Sequence, residues 1–94
     1  MFDQPTKAKL VEVYVTQEEV TYKKNKCNIP VGQWYELKRD PLYPKAIEIN
    51  HEQIPSTVLF YEELERKENQ VLIKRNVRVG SELPRYETFI FELE

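Results

Sequence analysis

Apolar residues recur at every second position over most of this chain, the period of a strand whose two faces meet different surroundings. Over residues 9–16, Val11, Val13 and Val15 share one face, and Leu10, Glu12 and Tyr14 the other. Apolar groups on both faces predict a strand that is central or covered on both sides. Val20 and Tyr22 then fall on even positions, so the phase shifts by one between Thr16 and Glu19. A tight turn accounts for the shift and predicts a hairpin of residues 9–16 with 19–24. Over 33–39, Tyr35, Leu37 and Arg39 alternate with Trp34, Glu36 and Lys38; over 45–50, Ile47 and Ile49 oppose Ala46 and Glu48. Asp40-Pro41 and Tyr43-Pro44 separate these two strands. Each proline fixes its own φ and drives the preceding residue out of the helical region, so a rigid corner is expected. Tyr35, Leu37, Ile47 and Ile49 should then form one layer at the centre of the core.

Residues 71–79 read as a strand with Val71, Ile73, Val77 and Val79 on one face and Arg75 interrupting it. In the last strand, 85–93, Phe89, Phe91 and Leu93 alternate with Tyr86, Thr88 and Ile90. The stretch 56–69 reads two ways. As a helix, Ser56 caps it and Val58, Phe60, Tyr61 and Leu64 share one arc. As a strand, Val58, Phe60 and Leu64 alternate with Leu59 and Tyr61, and 67–70 is a hairpin turn. Propensity and the acidic block favour one short helix over 56–68. The expected fold is mainly β: a small twisted antiparallel sheet or barrel of five to six strands, with that helix as its one α element. A single domain covers 1–94, with 1–7 a flexible arm broken by Pro5.

Composition narrows the function. With 94 residues, 40% hydrophobic and 32% charged, the chain can bury one modest core. Its two glycines leave left-handed turns to Asn, Asp or longer loops. A net charge of −2 gives no general attraction to nucleic acid. The single cysteine forbids an internal disulfide and fits a reducing compartment, the cytoplasm of a bacterial or host cell. No apolar run reaches the length of a membrane span, and residues 1–9 lack a signal-peptide core. Abundant Lys, Glu, Asn, Ile and Tyr suggest an AT-rich bacterial or phage source.

Catalytic chemistry is sparse. One cysteine (Cys27) and one histidine (His51) are too few for a zinc site. Ser56 and Ser81 lack a nucleophile-elbow context, and Glu62, Glu63, Glu65 and Glu68 read as a solvated face. Neither enzyme activity, metal nor cofactor is expected. Basic residues gather as Lys23, Lys24 and Lys26; Lys38 and Arg39; and Lys74, Arg75, Arg78 and Arg85, with Tyr22, Trp34, Tyr35, Tyr43 and Tyr86 beside them. Tyr, Trp and Arg anchor protein interfaces, and aromatics among cations also stack single-stranded nucleic acid. The candidate binding residues are therefore Tyr22, Lys23, Trp34, Arg39, Tyr43, Lys74, Arg75 and Arg78. Tyr43, held between Pro41 and Pro44, is the foremost exposed anchor. A protein partner is the first expectation: the chain reads as a small inhibitor or regulator of the kind phage and mobile elements encode. Single-stranded nucleic acid is the second, and an open sheet edge allows a homodimer.

Leu37, Arg39, Asp40, Pro41, Ala46, Ile47, Ile49, Ile54 and Pro55, all within residues 37–55, resemble the centre of HIRAN domains. There a strand ending Leu-x-Arg-(Glu/Asp)-Pro leads through a loop to Ala-Ile-x-Val, often with Ile-Pro before a helix. The loop between Pro41 and Ala46 is shorter here. The resemblance implies a small β-barrel with helical insertions, a helix after Pro55, and binding of single-stranded DNA 3′ ends.

Overall fold

The computed structural model describes residues 2–23, 29–77 and 85–94. Its eight strands are β1 (Thr6–Gln17), β2 (Val20–Lys23), β3 (Trp34–Arg39), β4 (Ala46–His51), β5 (Ile54–Phe60), β6 (Glu63–Lys67), β7 (Gln70–Asn76) and β8 (Arg85–Leu93). They form one antiparallel sheet in the order β5-β4-β3-β1-β8-β7-β6, with β2 added to β1. β5 and β6 stand at opposite ends of that order, yet only Tyr61 and Glu62 separate them in the chain. The Tyr61 N–H donates to the Lys45 carbonyl (3.0 Å) and the Glu62 N–H to the Lys74 carbonyl (2.8 Å), so consecutive residues bond to the two ends of the sheet. The sheet must therefore curl until its ends meet. Residues 54–67 act as one bent strand that pairs first with β4 and then with β7, and the result is a small barrel.

β1 explains a feature of the sequence that looked like cover on two sides. One edge of β1 pairs with β8, and the other is shared, Thr6 to Lys9 with β3 and Tyr14 to Gln17 with β2. The register against β8 slips between Leu10 and Glu12, which leaves Val11 as the extra residue of a β-bulge. Ala8 and Leu10 point inward before the bulge, Val13 and Val15 after it, and all four are fully buried. One core face changes phase at Val11; the strand does not carry two.

The expected hairpin of β1 and β2 is present, with Thr16 opposite Thr21. Its turn uses Glu18 at φ 58°, and the β6–β7 turn uses Glu68 at φ 42°, so glutamates take the left-handed positions that Asn or Asp were expected to fill. Gly32 lies at φ 89° and donates its N–H to the Leu10 carbonyl at 2.7 Å, tying the lead-in of β3 to β1.

Tyr35, Leu37, Ile47 and Ile49 form the expected layer, with Leu37 opposite Ile49 across the β3–β4 ladder. Leu10, Leu59, Val71, Ile73, Phe89 and Phe91 join them in the interior, with Phe2, Ala8, Val13 and Ile29 in the same cluster. Residues 56–68 are not helical. They supply β5 and β6, and this is why eight strands stand where five to six were expected. Burial decided against propensity: β5 turns Leu59 into the core and Val58 and Phe60 outward, a period of two. The ladder of Glu63 to Lys67 with β7 then satisfies the acidic stretch. β7 ends at Asn76, short of the expected Val79, which lies outside the described residues. Of the segment read as an arm, Thr6 and Lys7 belong to β1, while Phe2 is buried and its carbonyl accepts the Arg39 N–H at 2.9 Å.

Candidate functional site

The corner between β3 and β4 is built by Asp40. Its Oδ1 accepts the N–H groups of Leu42 (2.8 Å) and Tyr43 (3.1 Å), and its own N–H donates to the Ala46 carbonyl (3.1 Å). This Asx turn, with Pro41 and Pro44 on either side, fixes the loop and lifts two apolar side chains off the barrel. Leu42 is 80% exposed and Tyr43 52%. The Tyr43 ring meets Phe60 edge-on at 5.4 Å between centroids, and Phe60 is itself 56% exposed. Val58, two residues back on the same outward face of β5, is also exposed. Leu42, Tyr43, Phe60 and Val58 thus join parts of the chain that sequence reasoning treated separately. Val58 and Phe60 were missed as surface residues because a helix was expected there; their alternation with Leu59 was the available signal. Beside the corner, a groove of about 420 Å³ is bounded by Asp3, Lys38, Arg39, Pro41, Leu42 and Tyr43. Arg39 faces Asp3 across it at 3.6 Å, both side chains largely exposed.

Four of the other candidates fall in two adjacent rows across β2, β1, β8 and β7. Tyr22, Val15, Glu87 and Arg75 are successive ladder partners on one face; Lys23, Tyr14, Thr88 and Lys74 are successive partners on the other. The first row explains the interruption at Arg75. Its guanidinium turns inward onto buried Glu87, with Nε at 2.9 Å and Nη2 at 2.7 Å from one carboxylate oxygen, and lies 5.2 Å from the Phe89 ring centroid. Tyr22 accepts a hydrogen bond from Arg85 at 3.3 Å. In the second row, Lys74 lies 4.5 Å from the Tyr86 ring centroid and Lys23 pairs with Glu12 at 3.5 Å. The Tyr14 hydroxyl also donates to Glu12. That bond holds the Glu12 carboxyl below the usual carboxylate range, with help from the Lys23 charge, and raises the Tyr14 hydroxyl above the usual tyrosine range. Lys23, Arg39 and Arg75 each therefore meet a carboxylate.

Trp34 stands apart from both groups, at the start of β3. It lines a cleft of about 540 Å³ with Lys7, Glu36, Asn50, His51 and Glu52. Lys7, Glu36 and Glu52 were not singled out from the sequence, where nothing marks them from other surface charges. His51 Nδ1 accepts the Gln53 N–H at 3.0 Å, and its ring lies 5.4 Å from that of Tyr35. Arg78, Lys24, Lys26, Cys27 and Ser81 lie outside the described residues. Among the described residues, no group of three or more His, Cys, Asp or Glu side chains could hold a metal ion, and no helix is long and apolar enough to cross a membrane. No protein-family model, curated protein or solved structure matches this chain. The likeness to HIRAN domains rests on the nine residues named for it, and the helix it implied after Pro55 is a strand.

Proposed function

We propose that this protein is a non-catalytic binding module that grips a partner protein through the Leu42, Tyr43, Phe60 and Val58 surface. It acts as an inhibitor or regulator in the cytoplasm of a bacterial or host cell, as phage and mobile-element proteins of this size do. The supporting observation is that the most exposed apolar side chain of the described residues, Leu42, sits beside an exposed aromatic pair on a corner locked by Asp40 and two prolines. Contiguous apolar surface on a rigid support favours association, because little order remains to be imposed on binding. The rim carries both signs of charge, Lys38, Arg39 and Asp3, as interface rims commonly do.

A single-stranded nucleic-acid partner, in the manner of HIRAN domains, is the second reading. It is favoured by Lys23, Tyr14 and Lys74 lying in one outward row with Tyr86 close by. The first reading is preferred because Glu12 pairs with Lys23 on that face and Glu63 lies opposite Lys74 in the ladder, which weakens attraction to phosphate. The test is affinity capture from host lysate with wild type and with a Leu42→Ser/Phe60→Ser variant, alongside anisotropy with short single-stranded DNA at two salt concentrations. A stoichiometric protein held by wild type and lost by the folded variant supports the proposal. Capture that ignores both substitutions, or salt-sensitive DNA binding, overturns it.

A further inference from the structure

The Trp34 cleft has a chemistry of its own. Trp34 is the only tryptophan of the chain and is 41% exposed, so part of its indole surface is open to solvent. The chain itself puts a cation there: Lys7 Nζ lies 5.7 Å from the ring centroid. That is near the outer limit of a productive cation–π contact, which makes Lys7 a weakly held occupant. Lys9 is Trp34's ladder partner but does not line the cleft. Glu36 sits on the same outward face as Trp34, between Lys7 and Asn50 in the ladders, and Glu52 adds a second carboxylate from the turn after β4. His51 closes the wall, with its Nδ1 accepting the Gln53 N–H at 3.0 Å. Two carboxylates against one lysine make the cleft unfavourable for phosphate, and so for a nucleotide stacking on Trp34.

We propose that this cleft receives an arginine side chain from a partner protein, its guanidinium lying on the Trp34 face in place of Lys7 and donating to Glu36 and Glu52. A guanidinium suits the site better than an ammonium because it is planar, stacks on indole and donates from a fixed fork to carboxylates. Trp34 and the Asp40 corner lie at opposite ends of β3, about 20 Å apart at 3.3 Å per residue, so one partner surface can engage both. The inference takes the partner to be a protein, but the site is tested without that partner and without the corner.

Because Trp34 is the sole indole, its fluorescence reports this cleft directly. The intact protein is titrated with N-acetylarginine methylamide, with N-acetylnorleucine methylamide as the uncharged stem and oligodeoxythymidylate as the nucleic-acid arm. A saturable change with the arginine amide alone is expected. Lys7→Gln should tighten it by roughly 2- to 5-fold, the worth of an exposed cation–π contact, and Glu36→Gln/Glu52→Gln should weaken it by at least as much. Thermal melts of these surface variants verify that the fold is kept. A linear response to the arginine amide, equal responses to arginine and norleucine amides, or saturation by the oligonucleotide overturns the proposal. Failure of the Leu42 and Phe60 variants to affect partner capture would not alter this titration, so the two readings fail separately.

Discussion

Replacing Arg75 by methionine should cost the barrel about 2–3 kcal/mol. Arg75 and Glu87 are ladder partners on the inward face of β7 and β8, and two guanidinium nitrogens reach one carboxylate oxygen at 2.9 and 2.7 Å. The Glu87 side chain is 3% exposed and that of Arg75 31%. Removing the cation takes both bonds from a carboxylate that stays buried, which costs about 3–5 kcal/mol at a fully buried pair. Solvent contact at Arg75 discounts this to about 2–3 kcal/mol. Methionine keeps an unbranched stem against Phe89, so the substitution tests charge more than packing. Urea unfolding followed by circular dichroism and by Trp34 emission measures the loss; in a thermal melt it corresponds to roughly 10–20 °C for a chain of this size. Replacing Arg75 and Glu87 together by methionine should recover most of it, since a buried ion pair and an apolar pair of similar volume are often close in stability. A single variant within about 0.5 kcal/mol of wild type, or a double variant as unstable as the single, would refute the reasoning.

Deleting Val11 removes the extra residue of the bulge and leaves Leu10 and Val13 two residues apart and still on one face, so the cost should stay below that of emptying one buried leucine site, about 2–5 kcal/mol; a larger loss, read from the urea midpoint, would contradict the bulge assignment. Glu18→Gly relieves a left-handed residue at the first central position of the β1–β2 turn and should stabilise by up to about 1 kcal/mol; a lower melting temperature would contradict it. Tyr14→Phe should bring the Glu12 carboxyl back up towards its ordinary range, read by carbon-detected NMR titration. Because the native bond depresses Glu12, its contribution is present above the ordinary carboxylate range and fades as pH falls through the native value. Because the same bond raises Tyr14, that contribution is present below the ordinary tyrosine range and fades as pH rises through the raised value.

Period-two alternation was enough to locate six of the eight strands, because most of them bury one face only. The last strand was read over 85–93 and β8 is Arg85–Leu93. The proline corner and the Tyr35, Leu37, Ile47 and Ile49 layer were equally legible, since each rests on local backbone chemistry or on a clean alternation. Three features were not. The bulge at Val11 mimics a strand with two apolar faces, and alternation alone does not distinguish the cases. Residues 56–68 carry helix-forming glutamates whose preference yields to pairing with β7, a partner remote from the stretch's own pattern. Arg75 looked like a surface cation because its counter-charge, Glu87, lies on another strand. The candidate site was half legible for the same reason: Tyr43 is marked by its prolines, whereas Phe60 joins it only through the curl of the sheet.

The ladder between β1 and β8 couples the earliest strand to the latest, and it is the longest register in the molecule. A nascent chain that has reached β7 still has no neighbour for that whole edge of β1, so Leu10 and Val13 wait in water until β8 has been made. Folding of this barrel should accordingly be slow for its size and limited by that final closure.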